Sequence, residues 1–373
     1  MAEKNNDTKK MQKLTIRNIL KNTIDVLKTQ GIINASFEAE LICSHFLKIS
    51  RTDIYLESER LITKQQADII NKATLERGNH KPLQYILETV YFYDIPIIVN
   101  ENVLIPRPET EYMADLIIKS FYHSKPLPCH SKPLPCHSKP LPCHSERSEE
   151  SPQPLTILDL CTGSGAIAIA LKKNIPSSIV YAADICEKAL EVAEQNTKNN
   201  NCEINLLKSD LFDAFTDKQP RPVPVKSKDE VTFVPVIARN EAIQNIFDKE
   251  WIASFLAMTD GGKRFLIISK YNNFFDIIIS NPPYISEKDY ETLQPELFFE
   301  PKKDLVADNN GLFFIEKIIK EAKQYLKKDG LLYLEIGHNQ IDEIKKIVKD
   351  IAYSEFTIYK DLSGKERIVR IKF

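Results

Sequence analysis

The chain has 373 residues, 43% hydrophobic and 27% charged, with a formal net charge of -2. This is the composition of a soluble globular protein large enough for more than one domain, and it lacks the excess of Lys and Arg with which proteins grip bare nucleic acid, which argues against DNA or RNA as the substrate. No apolar run reaches membrane-spanning length, Met1 to Lys13 lacks the apolar core of a secretory signal, and an odd seven cysteines show no disulfide spacing, so a cytoplasmic chain is expected, with Cys43, Cys186 and Cys202 as thiols in packing or surface positions.

Ile16, Ile19, Leu20, Ile24 and Leu27 recur at helical spacing, as do Phe37, Leu41, Ile42 and Phe46. Thr63 and Gln66 fit a capping box opening a third helix that carries Ile69, Ile70 and Ala73. Residues from about Leu14 to Arg77 therefore read as a helical packing or docking bundle without chemistry of its own. Tyr91 to Val99 is aromatic and β-branched and predicts strands or a hairpin. Pro108 sits where a helix starts, with Glu109 and Glu111 in its first turn, where carboxylates favour the helix dipole.

From His123 the heptapeptide His-Ser-Lys-Pro-Leu-Pro-Cys runs in tandem, with copies starting at His123, His130 and His137. Its prolines exclude a coiled coil or regular helix. The pairs Cys129-His130, Cys136-His137 and Cys143-His144 are of a kind that suits zinc. An expanded repeat produces that spacing without ligand geometry, so residues 123–153 are expected to be an inserted disordered loop with no metal. A second anomalous stretch, about 219–270, begins Pro-Arg-Pro-Val-Pro and holds the only tryptophan, Trp251. Both resemble translated mobile palindromic repeats, which land in surface loops.

From Leu155 onward strands and helices alternate. Strands are predicted at 155–160, 179–185, 204–209, 275–280 and 331–336, and helices at 166–173, 189–199 and 315–326. A closing hairpin is predicted at 355–359 and 367–373. This is the pattern of a doubly wound α/β sheet.

Asp159-Leu-Cys-Thr-Gly-Ser-Gly165 joins the first of these strands to its helix. Glycines there let the backbone approach a ligand at the strand's carboxyl end. Asp184, closing the next strand, is placed to accept two ribose hydroxyls. Asp210 is placed to meet an adenine amino group, with Leu211 against the ring. Cys161, Thr162, Gly163, Ser164 and Gly165 complete this candidate cofactor site. Such a loop serves a nicotinamide cofactor equally well. Asn281-Pro-Pro-Tyr284, after the fourth strand, points to methyl transfer instead. An amide or base NH2 is a poor nucleophile because its lone pair is delocalised. The Asn281 side-chain oxygen and the Pro282 carbonyl can each accept one of its hydrogens and shift density onto the nitrogen. Pro282 and Pro283 stiffen the loop, and Tyr284 can stack on the planar group.

With these motifs the chain resembles the protein-(glutamine-N5) methyltransferases of class I release factors. The matching stretches are Gln84-Tyr-Ile86, Leu104-Ile-Pro-Arg-Pro-Glu-Thr-Glu111, the glycine loop, Phe275 to Ile285, Glu300-Pro301, Asn310-Gly-Leu312, Glu335-Ile-Gly337 with Gln340, and Lys360-Asp361 with Gly364 and Arg367. The Pro-Arg-Pro-Glu-Thr-Glu run is the most specific of them. Asn-Pro-Pro-Tyr alone is shared with adenine and guanine amino-methyltransferases. Cys161 and Glu88 stand where the family usually has glycine, and Asp304 where it prefers alanine.

The resemblance implies a seven-stranded S-adenosylmethionine-dependent methyltransferase sheet with a small N-terminal helical bundle. Residues 1–80 would dock the substrate, 81–112 form a hairpin and linker, and 113–373 form the catalytic domain. S-adenosyl-L-methionine is the implied cofactor. The implied target is the GGQ glutamine of class I release factors, modified by a monomer with no direct contact to nucleic acid or membrane. The competing expectations are a glutamine methyltransferase of a ribosomal protein, a nucleic-acid amino-methyltransferase, and an inactive binding module.

Overall fold

A computed structural model describes residues 14–124, 154–216, 271–361 and 363–373, together with a minimal hairpin pairing Thr259–Asp260 with Lys263–Arg264. The Cys-His repeats and, apart from that hairpin, the second anomalous stretch lie outside the described residues. The chain divides into two compact units, Met1–Ile105 with Lys288–Leu305, and Pro106–Glu287 with Val306–Phe373.

The first unit opens with helices α1 (Ile16–Thr29), α2 (Ala35–Leu47), α3 (Arg51–Leu56), α4 (Lys64–Gly78) and α5 (Leu83–Leu87). Hydroxyl caps start three of them. Thr15 caps α1, and reciprocal capping boxes, Ser50 with Asp53 and Thr63 with Gln66, open α3 and α4. The Thr63 box thus opens the fourth helix rather than the third. The stripe expected on α2 is also corrected. Its buried residues are Ala35, Ala39, Ile42, Cys43 and Leu47. Phe37 is 48% exposed, with the Arg51 guanidinium 4.5 Å from its ring centre. Strands β1 (Thr89–Phe92) and β2 (Ile95–Ile98) form a hairpin turned by Tyr93 and Asp94, both with positive φ. The returning segment 288–305 is tied into this unit by side chains. The buried Arg77 guanidinium is bonded to Glu38 and donates to Glu296 at 3.2 Å, and the Ile105 N–H donates to Glu300 Oε2 at 3.1 Å.

The second unit begins with α6 (Pro108–Ser124), proline at its first position and Glu109 and Glu111 in its first turn, as expected. Strands β3 (Thr156–Leu160), β4 (Ile179–Asp184) and β5 (Asn205–Lys208) alternate with helices α7 (Ala166–Asn174) and α8 (Glu187–Asn199). Then come β6 (Phe275–Ser280), α9 (Phe313–Tyr325), β7 (Leu326–Glu335), α10 (Ile341–Lys349), β8 (Glu355–Lys360) and β9 (Glu366–Lys372). Helix α10 has no counterpart among the expected elements. The seven strands make one sheet ordered β8-β9-β7-β6-β3-β4-β5, with only β9 antiparallel to its neighbours. Every residue of β3 is buried, as a parallel strand covered on both faces requires.

The apolar core on one face joins Leu158, Leu160, Ile278, Leu332 and Leu334 of the sheet to Ile315, Ile318 and Ile319 of α9 and Ile344 of α10. An aromatic cluster closes it, with Phe212 stacked on Tyr325 at 4.5 Å and Tyr271 on Phe275 at 5.6 Å. The strand order reverses at β3, whose neighbours are β4 and β6. The loops after β3 and β6 therefore flank a topological switch point, where open α/β sheets bind ligands. Among the described residues, no helix is long and apolar enough to cross a membrane.

Candidate active site

The loop after β3 is held by its neighbour strand. The Thr162 N–H donates to the Ala183 carbonyl at 3.0 Å, and the Gly163 N–H donates to Asp184 Oδ2 at 2.9 Å. The Cys186 N–H donates to Asp184 Oδ1 at 2.8 Å. The Asp184 carboxylate is thus fixed at the carboxyl end of β4, bonded to the tip of the glycine loop. Asp159 lies fully buried beneath it. The Thr162 hydroxyl donates to its Oδ2 at 2.6 Å, while Oδ1 is buried with no partner at hydrogen-bond geometry. Burial pushes the Asp159 carboxyl up to about 7, with the Thr162 hydroxyl and the Ala168 amide working against that rise and nearby Asp184 adding to it.

These residues suit a ligand carrying amino and ribose hydroxyl groups. Gly163 has φ +52°, and nothing lies within 4 Å of where a Cβ would stand, so its open flank admits a ligand against the backbone. An orphaned buried carboxylate oxygen suits a cationic amino group, and a carboxylate fixed at the strand end suits hydroxyls. Gly165 caps α7, and Ser164 is buried with its carbonyl accepting from Asn196 Nδ2 at 2.9 Å. Asp210 is exposed, 3.8 Å from Lys317 Nζ of α9. Leu211, with φ +48°, turns its side chain into the apolar core, where it is 5% exposed.

The loop after β6 lies alongside. Leu160 and Ser280 are register partners, and Ser280 Oγ donates to the Leu160 carbonyl at 2.7 Å. Cys161 and Asn281 therefore emerge from adjacent strand ends. Asn281 Nδ2 donates to Thr110 Oγ1 at 3.0 Å, Thr110 Oγ1 donates to Glu335 Oε2 at 2.6 Å, and Tyr284 OH donates to Glu335 Oε1 at 3.1 Å. Asn281 Oδ1 and the Pro282 carbonyl accept no hydrogen bond from the described residues, so both acceptors remain available to a substrate NH2. Pro282 and Pro283 are buried. Tyr284 is half-buried against the core, its phenol held well above its ordinary pKa by burial and by the Glu335 carboxylate.

The backbone behind this loop is buttressed. Gln340 Nε2 donates to the Tyr284 carbonyl at 2.9 Å and to the Asn310 carbonyl at 3.3 Å, while its Oε1 accepts the Gly337 N–H at 2.8 Å. Ala307 N–H donates to the Ile285 carbonyl at 2.9 Å. Gly311 packs so closely that a Cβ there would lie 2.1 Å from the Tyr284 oxygen.

Comparison with known proteins settles the family. The chain is 30% identical over 357 residues to the release factor glutamine methyltransferase of Fusobacterium nucleatum, across 95% of this chain and 78% of that protein. The chain belongs to the release factor glutamine methyltransferase family. It is also 30% identical over 334 residues to the family member of Thermodesulfovibrio yellowstonii, covering 89% and 90% of the two chains. With the member from Rhodopirellula baltica it is 28% identical over 376 residues, covering 100% and 99%. Residues 18–87 match the PrmC N-terminal domain, 148–221 the methyltransferase small domain, and 275–367 a DNA methylase model.

Within this methyltransferase, two groups at the site were not among the expected site residues. Thr110 and Glu335 lie inside motifs that carried the family resemblance, yet neither was assigned a role. They are 225 positions apart in sequence and meet only through the fold.

Proposed function

We propose that this protein transfers a methyl group from S-adenosylmethionine to the side-chain amide nitrogen of the glutamine in the GGQ motif of class I release factors. The observation that carries this reading is the pair of unengaged acceptors, Asn281 Oδ1 and the Pro282 carbonyl, held at the strand end next to the glycine loop. The loop from Cys161 to Gly165, with Asp159, Asp184 and Asp210, would hold the cofactor. When bound, S-adenosylmethionine supplies an electrophilic methyl on a cationic sulfonium. Asn281 and Pro282 would each accept one hydrogen of the target amide, which orients the nitrogen and increases its electron density. Tyr284, braced by Glu335, forms one wall for the planar group, and rigid positioning supplies most of the rate.

Mass spectrometry of a release factor incubated with the protein and S-adenosylmethionine tests this directly. A gain of one methyl group on the GGQ glutamine is the expected result, and an unmodified factor overturns it. Asn281→Ala should retain cofactor affinity by calorimetry while single-turnover methylation falls by about 100- to 1000-fold, the usual cost of one preorganised charge-stabilising contact. Amino-methylation of a nucleic acid is a second reading, favoured by the DNA methylase match over 275–367. Parallel incubations with single-stranded DNA and transfer RNA separate the two.

A further inference from the structure

The side-chain amide of Asn281 can stand two ways round, and only one of them offers its oxygen to an incoming NH2 group. What selects between them lies behind it. Glu335 is 1% exposed and its two carboxylate oxygens face Thr110 and Tyr284. A carboxylate has no proton to give, so both hydroxyls must donate to it. The Thr110 hydrogen is thereby committed, and Thr110 Oγ1 presents only lone pairs to Asn281. The amide must then turn its Nδ2 toward Thr110, which is the 3.0 Å contact observed, and its Oδ1 away.

We propose that Thr110 and Glu335 are positioning residues that set which way round the Asn281 amide stands, through a relay from carboxylate to hydroxyl to amide. This rests on the reading above, in which Asn281 Oδ1 accepts from the target nitrogen.

The relay reverses when Glu335 takes up a proton on Oε2, the oxygen that faces Thr110. A protonated Glu335 donates to Thr110 Oγ1, the Thr110 hydrogen turns to Asn281, and Oδ1 becomes the atom facing inward. The NH2 of Asn281 then confronts the NH2 of the target, donor against donor. Burial raises the Glu335 carboxyl to about 7, with the Thr110 and Tyr284 hydroxyls lowering it, the Glu109 carboxylate raising it and the Arg367 guanidinium lowering it. Arg107 and Arg367 also act on the Tyr284 phenol on the other side of the carboxylate. The ionised form is the competent one. The rate therefore rises with pH through the Glu335 pKa and levels above it.

The test compares full-length wild type, Thr110→Val and Thr110→Ser in single-turnover methylation of a release factor at saturating S-adenosylmethionine across pH 5.5–8.5. Valine keeps the buried shape and removes the relay. Thr110→Val should lose about 10- to 100-fold in rate, keep its cofactor affinity and lose the rise with pH, and Thr110→Ser should restore both. A Thr110→Val enzyme with the wild-type rate overturns the proposal. So does a slower one that keeps the rise, since that limb would then belong to Asp159, whose carboxyl is also raised to about 7. A second readout needs no substrate. The side-chain NH2 resonances of Asn281, assigned by their loss in Asn281→Asp, should titrate near pH 7 in wild type and not in Thr110→Val. Resonances indifferent to pH in wild type overturn the relay. A wild type that titrates this way yet leaves the release factor unmodified supports the relay and overturns only the assigned substrate.

Discussion

Cys161 and Glu88 both occupy left-handed backbone, with φ +58° and +54°. For a residue with a Cβ that conformation costs about 1–2 kcal/mol, whereas glycine adopts it freely at some entropic cost in the unfolded chain. These are the two positions where the family resemblance leads one to expect glycine, and the backbone supplies the reason. Cys161→Gly and Glu88→Gly should each stabilise the protein by about 0.5–1 kcal/mol, read as a rise in the unfolding midpoint by calorimetry. A fall for both would show that side-chain contacts outweigh the strain. The same contrast separates what could be read from sequence at the site. The glycine loop, Asp184 and the Asn-Pro-Pro-Tyr run are contiguous, each carrying its chemistry within a few residues, and the fold brings their strand ends side by side. Thr110 and Glu335 could not be assigned a role in that way, because a hydrogen bond between two distant positions leaves no local spacing to detect. Leu211 was expected against an adenine ring, and the side chain is mostly enclosed in the apolar core.

At the level of elements, the alternating strands and helices of the sheet were legible because buried parallel strands read as continuous apolar runs bounded by turn residues. Helix α2 was misread for a physical reason. Its buried stripe includes Ala35, Ala39 and Cys43, small residues that allow close helix packing, whereas large Phe37 faces outward beneath a guanidinium. The Asn309-Asn310-Gly311 turn is the least legible element of the site. All three residues have positive φ, at 55°, 53° and 81°, and the turn presses directly on the Tyr284 carbonyl. Gly311→Ala would force those backbones apart, because 2.1 Å is far inside any real contact. Misplacement of catalytic groups by about 1 Å can cost on the order of 100-fold in rate. The expected outcome is therefore a loss of at least about tenfold in single-turnover rate, with cofactor affinity kept within about threefold by calorimetry. Wild-type turnover in that variant would show that this turn does not position the loop.

For the whole molecule, every strand of the seven-stranded sheet lies among the described residues and follows the tandem repeat in sequence. Replacing residues 125–151 by a short flexible linker should therefore leave the unfolding midpoint within a few degrees of wild type and methylation within about threefold, since loop length itself costs little. Loss of folding on deletion would show that the repeat contributes to the core. The helical unit has a different dependence on the chain. It is made of two separate stretches, so the polypeptide passes between the units at three places, after Ile105, after Glu287 and after Leu305. During synthesis its ties to the returning stretch therefore form late. The carboxylates of Glu296 and Glu300, which meet Arg77 and the Ile105 amide, leave the ribosome only after most of the chain has been made. For the same reason a single protease cut after Ile105 would leave the helical unit joined through residues 288–305, and two further cuts, after Glu287 and after Leu305, would be needed to release it whole.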